Sequence, residues 1–368
     1  MGFLRRVLGG NRPDGDPAHV HLDDADIDAS GWDAIDAALA PIYGDQEPKH
    51  YGTIIKFALG GPDRLDGVSI YEHSGPPAHW HYVSYGMSEL YRKQSDDLER
   101  SGWGIELTFR LAREGASEAP VWPISLMQNL ARYVYESGNL LLPNHHMNAN
   151  GPIAQESTTA LEAVLCAADP ELGAIATPNG SVTFVQLIGI TLDELAAIKA
   201  WSSSGWLALW QETNPLLVTD LDRPSLLSDP AFAAEVEGRT EAEGSMLTGL
   251  NVDVLDWDES PDGVELTLGA LSIEPVITLL RQRVGHGLDG WVQGPEASVM
   301  FRAGEAWSCT TEGRSQDVTL TRDMALTLAA SLAPIVGTYA IREAPGLVVR
   351  VEETIVRDAQ GSEIGRVG

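Results

Sequence analysis

The alternation of apolar and polar residues predicts a strand in the first third of the chain. From residue 105 onward, Leu107 and Phe109 alternate with Glu106, Thr108 and Arg110. Successive side chains of a strand point to opposite faces, so this pattern predicts one buried face and one solvent-facing face. Two flanking segments, residues 68–73 and 80–85, also have the composition of strands.

Other segments show either a helical period or a continuous apolar run. A helix is predicted to begin near Ser30, where apolar residues follow at helical spacing. A second helix is predicted to begin at Pro123, because proline suits the first turn of a helix. A further helix is predicted around Leu161 and Leu165. Residues 182–190 are almost all apolar, which predicts a central strand covered on both faces.

The mixture of helices and strands without strict alternation predicts the α+β class and two domains. We expect a flexible arm over residues 1–29, followed by an N-terminal domain of mixed β-sheet and packed helices over residues 30–236. A polar, glutamate-rich stretch predicts a linker at residues 237–246. Residues 247–368 are predicted to form a smaller α+β domain.

Charge narrows the classes of partner. The 368 residues carry a formal net charge of −29, which should repel phosphate backbones and makes direct nucleic-acid binding unfavourable. This acidity either steers a basic partner to the protein or only keeps the chain soluble. No apolar run is long enough to span a membrane, and no secretory signal is recognised. We therefore expect a cytoplasmic protein, and the excess of arginine over lysine suggests a bacterial genome.

The stretch at residues 76–91, PPAHWHYVSYGMSELY, carries four aromatic residues and two histidines. His79 and His81 would face the same side of a strand and could hold a metal, or they could simply form hydrogen bonds within the fold. His145 and His146 are adjacent and would point to opposite faces, so they are poor co-ligands. No familiar catalytic signature is present, and we expect no cofactor and no metal site.

Six blocks, in order, carry a family resemblance. The blocks read PPAHWHYVSYGMSELY, GWGIELTFRL, WPISLMQNLARYVYESGN, ADPELGAIATPNGSVTFVQLIGITLDEL, LLVTDLDRPSLL and GSMLTGLNVDVLDWDE. Together they resemble the Suppressor of fused family over about residues 32–259. In that family, two domains clasp a partner peptide, which adds backbone hydrogen bonds to strand edges by β-augmentation. Animal members bind Gli-class transcription factors, and many bacterial relatives are proposed to be immunity proteins against toxins.

The resemblance implies partner-binding residues. Tyr133 matches a tyrosine that lines the peptide cleft, and Leu250 matches a cleft-lining valine. The run Asn144-His145-His146 stands where the animal family has Gly-Asp-His, so His145 replaces the carboxylate that pairs with a Gli histidine. A Gli-type peptide is therefore not expected. Each of these residues could instead be an ordinary packing or surface residue.

The leading hypothesis is a non-catalytic protein-binding module without a cofactor. Segments 145–148 and 250–252 would accept an extended partner segment, and a basic toxin is the specific partner that this hypothesis names. Two alternatives remain open. One is a regulator that sequesters a transcription factor, and the other is a metal- or small-molecule-dependent enzyme that uses His79, His81 and Glu106.

Overall fold

The computed structural model describes two compact units and confirms the predicted two-domain α+β class. The first unit contains residues up to Leu195 together with Leu207–Ser225, and the second contains Ala196–Trp206 and Leu226–Gly368. The residues described are 28–53, 63–113, 115–155, 157–260, 263–357 and 362–368. Nearly all of the arm expected at residues 1–29 lies outside them.

The first unit is built on a mixed eight-stranded sheet. Its strands are β1 (Lys49–Gly52), β2 (Gly67–His73), β3 (His79–Tyr85), β4 (Arg100–Ala112), β5 (His146–Asn148), β6 (Ala163–Ala168), β7 (Ala174–Thr177) and β8 (Gly180–Ile190). They are ordered β1-β2-β3-β4-β8-β6-β5, and β7 pairs with β8 off this path. The β4–β8 pairing is parallel, and the other pairings are antiparallel.

Two helices cover opposite faces of this sheet. These are α1 (Ser30–Tyr43) and α2 (Trp122–Ser137), and β8 is followed by α3 (Leu192–Ala200) and α4 (Ser203–Gln211). Val83 and Phe184 belong to the core cluster that contains α1 residues. Tyr82 and Val185, their neighbours in sequence, belong to the cluster that contains α2 residues. Because successive strand residues enter different cores, the central strands are buried on both sides.

The expectation of a solvent-facing side on β4 is wrong. Glu106, Thr108 and Arg110 are all fully buried. These polar side chains are tolerated inside because each is hydrogen-bonded to other groups of the same unit. The alternating pattern therefore separates an apolar face from a buried polar face, and sequence alone does not distinguish that polar face from one exposed to water.

The helix predicted around Leu161 and Leu165 is also not formed. Residues 163–168 form β6, which pairs with β8 on one side and β5 on the other. A short apolar run fits a buried strand as well as a buried helix, and here pairing on both sides determines the outcome.

The predicted linker coincides largely with a helix. Helix α5 (Pro230–Glu243) begins after Asp229, whose carboxylate accepts a hydrogen bond from the Ala231 N–H. The compact units divide near Ser225 rather than within residues 237–246. Alanine, glutamate and arginine favour a helix, so a polar stretch of this composition need not be a loop.

The second unit contains three sheets and two further helices. Its strands are β9 (Gly249–Asn251), β10 (Leu255–Ser260), β11 (Gly263–Gly269), β12 (Gly290–Gln293), β13 (Ser298–Ala303), β14 (Ser308–Glu312), β15 (Ser315–Leu320), β16 (Gly337–Ala340), β17 (Leu347–Glu352), β18 (Thr354–Arg357) and β19 (Glu363–Val367). The sheet orders are β14-β15-β13-β12-β9, β10-β11-β17-β16 and β18-β19. Helices α6 (Ile273–Gln282) and α7 (Arg322–Ser331) share one core with the two larger sheets. Across the described residues, no helix is both long and apolar enough to cross a bilayer.

Candidate partner-binding edges

Strand β5 occupies one end of the eight-stranded sheet and, among the strands that the structure describes, pairs only with β6. The Cys166 N–H donates to the His145 carbonyl at 2.8 Å, and the Ala149 N–H donates to the Glu162 carbonyl at 2.9 Å. Backbone bonds alternate along an antiparallel pair, so residues 145, 147 and 149 bond towards β6. The N–H and C=O of Asn148 consequently point away from β6, towards the outer edge of the sheet.

Tyr133 lies near the end of α2, with 37% of its surface exposed. The helix ends at Ser137 and is capped by Gly138, which adopts a left-handed conformation with φ of 74°. The next residue, Asn139, donates a side-chain hydrogen bond to the Tyr133 hydroxyl at 3.3 Å. The ring is therefore tied to the loop that leads from α2 towards β5.

His145 is exposed at the other end of this loop, directly before β5. Its N–H donates to the Leu142 carbonyl at 3.0 Å, and its Nδ1 lies 3.2 Å from the Leu140 carbonyl oxygen. The structure thus places Tyr133, His145 and His146 along one loop and its adjoining edge strand. Leu142, in the same loop and 38% exposed, was not among the candidates, because an isolated leucine carries no sequence signal of exposure.

Leu250 lies in the middle of β9, the terminal strand of the five-stranded sheet. It pairs in register with Val292 of β12, and its side chain packs, partly buried, against the core of the second unit. The Leu250 side chain therefore contributes to packing, while the strand that carries it forms the edge.

The backbone of β9 also alternates, although β9 pairs with β12 in parallel whereas β5 pairs with β6 antiparallel. The Trp291 N–H donates to the Thr248 carbonyl at 3.1 Å, and the Val252 N–H donates to the Gln293 carbonyl at 2.9 Å. Residues 248, 250 and 252 therefore bond towards β12, and the backbone of Asn251 points to the outer side.

A glycine is required within β9. A Cβ added to Gly249 would lie 2.1 Å from the indole ring of Trp291. Since this distance is far below van der Waals contact, the tryptophan covers the edge strand only because residue 249 has no side chain.

The histidines of the aromatic stretch have partners within the first unit. His79 is buried, donates from Nδ1 to the Pro77 carbonyl at 2.7 Å, and stacks on His73 with ring centroids 4.5 Å apart. Burial lowers the pKa of His79 to about 3, so the ring is neutral at pH 7. Within the described residues, no three His, Cys, Asp or Glu side chains are grouped so as to hold a metal ion.

His81 links α1 to the buried polar face of the sheet. Its Nδ1 lies 2.8 Å from the Tyr43 hydroxyl, and its Nε2 lies 3.3 Å from Asp169 Oδ2. Burial, aided by the charge of Arg110, lowers the pKa of His81. Because an ionised carboxylate can only accept, the ring proton belongs on Nε2, and Tyr43 donates to Nδ1.

Asp169 is the centre of this network. Arg110 binds it through both Nη atoms, at 2.7 and 3.0 Å, and the Thr108 hydroxyl donates at 2.8 Å. Burial raises the pKa of Asp169, but the hydrogen bonds from His81 and Arg110 outweigh it and hold the pKa below its usual range. The carboxylate is therefore ionised and compensated inside the sheet.

Glu106 anchors the end of the same aromatic stretch. Its Oε1 accepts from the backbone N–H groups of Gly86 and Ser88, each at 3.0 Å, and from the Ser88 hydroxyl at 2.7 Å. These bonds fix the turn that follows β3. The sequence neighbourhood of His79, His81 and Glu106 is thus held by structural hydrogen bonds.

Comparisons with known proteins agree with this architecture. A family model described as Suppressor of fused protein matches residues 61–224. The Suppressor of fused homologs of Mus musculus and Homo sapiens are each 37% identical to the chain over 247 residues, which is 62% of this chain and 51% of each homolog. The chain thus spans about half the length of the curated relatives it matches.

Solved structures define the class of fold. The crystal structure of Drosophila Suppressor of Fused aligns with a TM-score of 0.75 and 23% identity, covering 88% of this chain and 97% of that one, which shows a shared two-domain α+β fold. The Sufu–Fu complex crystal structure aligns with a TM-score of 0.53 and 32% identity, covering 57% of this chain and 98% of that one. The chain belongs to the Suppressor of fused family.

Proposed function

We propose that this chain is a non-catalytic binding protein that holds an extended segment of a partner protein against the outer edges of β5 and β9. The observation that carries the proposal is positional. Each of the two segments expected to accept a partner includes a three-residue strand, and each of these strands is the terminal strand of its sheet. Support also comes from the relative whose solved structure is the Sufu–Fu complex.

Because the edge strands β5 and β9 are short, a partner segment should bind to both of them rather than to one alone. A backbone hydrogen bond contributes about 0.5–1.5 kcal/mol net, and a three-residue strand directs few such groups outward. One edge alone would therefore bind a partner weakly. A partner segment that engages both edges of the same chain gains from the high effective concentration of the second edge, so the two units act together as a clasp.

His145 contributes to the choice of partner. Its Nδ1 contacts the loop backbone, so Nε2 is the ring atom that can contact a bound segment. In the tautomer whose Nδ1–H donates to the Leu140 carbonyl, Nε2 accepts a hydrogen bond, and in the tautomer whose Nδ1 accepts from the Leu142 N–H, Nε2 donates one. A protonated ring donates from both nitrogens and repels another cation. The partner group opposite His145 is therefore a neutral hydrogen-bonding group or an acidic group rather than a protonated histidine.

The partner we propose is a basic protein, with a toxin neutralised by this chain as the specific form of the hypothesis. The net charge of −29 would accelerate association with a basic protein, and added salt would slow it. The charge sets the rate of capture, while the strand edges hold the captured segment.

Proline substitutions at the two edges test the proposal. Asn148→Pro and Asn251→Pro each remove an outward N–H and leave the bonds to β6 or β12 in place. The matched controls, Asn148→Ala and Asn251→Ala, remove the side chain but keep the N–H. Proteins captured by the native chain should be recovered with both alanine variants and lost with the proline variants. Equal recovery with all four variants would refute edge pairing.

A further inference from the structure

A cavity of about 360 Å³ opens where α1 ends and the polypeptide turns towards β1. Its lining residues include Tyr43 and Tyr71 and the acidic residues Asp36, Asp45 and Glu47. The cavity lies beside β1 and β2, at the opposite end of the sheet order from β5. It is therefore separate from the edge assigned to partner binding.

The aromatic wall is held rigidly. The rings of Tyr43 and Tyr71 stack with centroids 4.4 Å apart and an interplanar angle of 19°. The Tyr43 hydroxyl is anchored at 2.8 Å on His81, whose ring in turn faces Asp169. The buried network beneath the sheet thus positions the Tyr43 ring, and the cavity has a preformed π face.

This tyrosine is not activated for chemistry. Burial raises the pKa of Tyr43 above its ordinary value, and its hydroxyl proton is donated inward to His81. A phenol that stays protonated is a poor nucleophile. The chain Tyr43–His81–Asp169 therefore orients a ring and does not form a catalytic triad.

The electrostatics of the cavity favour positive charge. Asp36 is partly buried, and its carboxylate accepts a hydrogen bond from the Tyr85 hydroxyl at 2.9 Å, although burial raises the pKa of Asp36. Asp45 and Glu47 are exposed lining residues. None of the lining residues in the described part of the chain is basic. Helix α1 also ends here without a basic residue in its last turn, so its carbonyl end adds partial negative charge.

We propose that this cavity binds a guanidinium or ammonium group, held against the Tyr43–Tyr71 stack and neutralised by Asp45 together with Asp36. A planar guanidinium on an aromatic face with carboxylates around it combines cation–π attraction with charge pairing. The group is either the arginine or lysine side chain of a partner protein or a small organic cation. This site would operate whether or not a segment pairs with β5 and β9.

The test compares two peptides that differ only in charge. Acetyl-Gly-Gly-Arg-Gly-Gly-amide and the same peptide with citrulline in place of arginine are titrated against the full chain, and binding is followed by microscale thermophoresis at low salt. Arginine should bind at least about tenfold more tightly than its neutral isostere, as a combined cation–π and ionic contact implies. Arginine amide, titrated alone, distinguishes the two sources of the cation: equal affinity indicates a small-molecule site, and weaker affinity indicates a side-chain site.

Substitutions in α1 and in the segment directly after it test the proposal and provide its controls. Asp45→Asn at the rim and Tyr43→Leu in the wall should each weaken arginine-peptide binding by at least about fivefold, whereas Tyr43→Phe keeps the ring and should stay within about threefold of native. Asp33→Asn makes the same charge change on α1 at an exposed residue outside the cavity; because Asp33 acts on Asp36 only through its charge, this variant should stay within about twofold of native. Equal binding of the arginine and citrulline peptides overturns the proposal. Loss of binding in Asp33→Asn equal to that in Asp45→Asn overturns it as well.

Discussion

Arg110 and Asp169 form a bidentate ion pair that is fully sealed from solvent, with Nη–Oδ distances of 2.7 and 3.0 Å. The two residues are far apart in sequence and are brought together by the mixed sheet. Through His81, the same carboxylate reaches Tyr43 on α1. A polar network therefore connects the sheet to the helix that covers it.

Removing Arg110 while Asp169 remains should strongly destabilise the first unit. Arg110→Met would leave the Asp169 carboxylate buried without its main counter-charge, at a cost of about 3–5 kcal/mol in the free energy of unfolding. Urea denaturation followed by tryptophan fluorescence measures the loss. The control is Arg100→Met, which removes an exposed partner of Asp97 and should cost no more than about 1 kcal/mol. Similar losses for both variants would contradict the assigned role of the buried pair.

Acidification should weaken the fold in two separable ranges of pH. Burial lowers the pKa of His79 to about 3, below its unfolded value of about 6.5. The unfolded chain then binds the proton more readily, so stability falls as the pH drops from about 6.5 towards 3. Asp169 also has a lowered pKa, but its contribution is lost only as the pH falls below about 4, where the unfolded carboxyl protonates.

A histidine variant measures the share of His79 in the upper range, to which the lowered pKa values of His50 and His81 also contribute. His79→Asn keeps a donor for the Pro77 carbonyl but removes the titrating ring. The unfolding free energy of this variant should depend less on pH between 7 and 5 than that of the native chain, as measured by urea denaturation at each pH. An unchanged slope would show that His79 is not the source of the pH dependence.

Adding one methyl group to β9 should disturb the edge. Gly249→Ala places a Cβ inside the Trp291 indole, and overpacking of this kind costs about 1–3 kcal/mol. The free energy of unfolding should fall by that amount, and partner recovery should fall with it. Gly365→Ala in β19 is the matched control, because its Cβ meets no atom within 4 Å. A neutral Gly249→Ala variant would mean that Trp291 can move aside without cost.

Salt should slow the capture of a basic partner without abolishing the complex. Raising NaCl from 50 to 300 mM should lower the association rate several-fold, because exposed charges are screened beyond about 10 Å at 0.1 M salt. The dissociation rate should change much less, since strand pairing holds the segment. Surface plasmon resonance with the captured partner separates the two rates. An association rate that ignores salt would argue against steering by charge.

Much of the fold could be predicted, because patterns in sequence report local structure directly. The strand predicted at residues 182–190 and the helix begun by Pro123 correspond to β8 and α2. The burial of Glu106 and Arg110 could not be predicted, since their partners Ser88 and Asp169 are distant in sequence. An alternating polar residue looks the same whether it faces water or a buried hydrogen-bonding network.

The candidate site, like the fold, could be predicted from the sequence only in part. The resemblance placed His145 and Leu250 in segments that the structure resolves as edge strands or their flanks, but pairing order, which defines an edge, is a property of the whole sheet. The sequence does not identify Tyr43 as a site residue, because no residue near it in sequence forms a recognisable motif. Its role depends on Tyr71 and His81, which other strands bring to it. The one available signal was that Tyr43 continues the apolar face of α1 after Leu39.

Residue-resolved hydrogen exchange of the chain, alone and bound to a protein it captures, tests the central claim most directly. Edge pairing predicts that the backbone amides of Asn148 and Asn251 exchange rapidly in the free chain and become protected in the complex, because each N–H points away from its neighbouring strand until a partner strand accepts it. A saturated complex in which both amides exchange as fast as in the free chain would contradict the account.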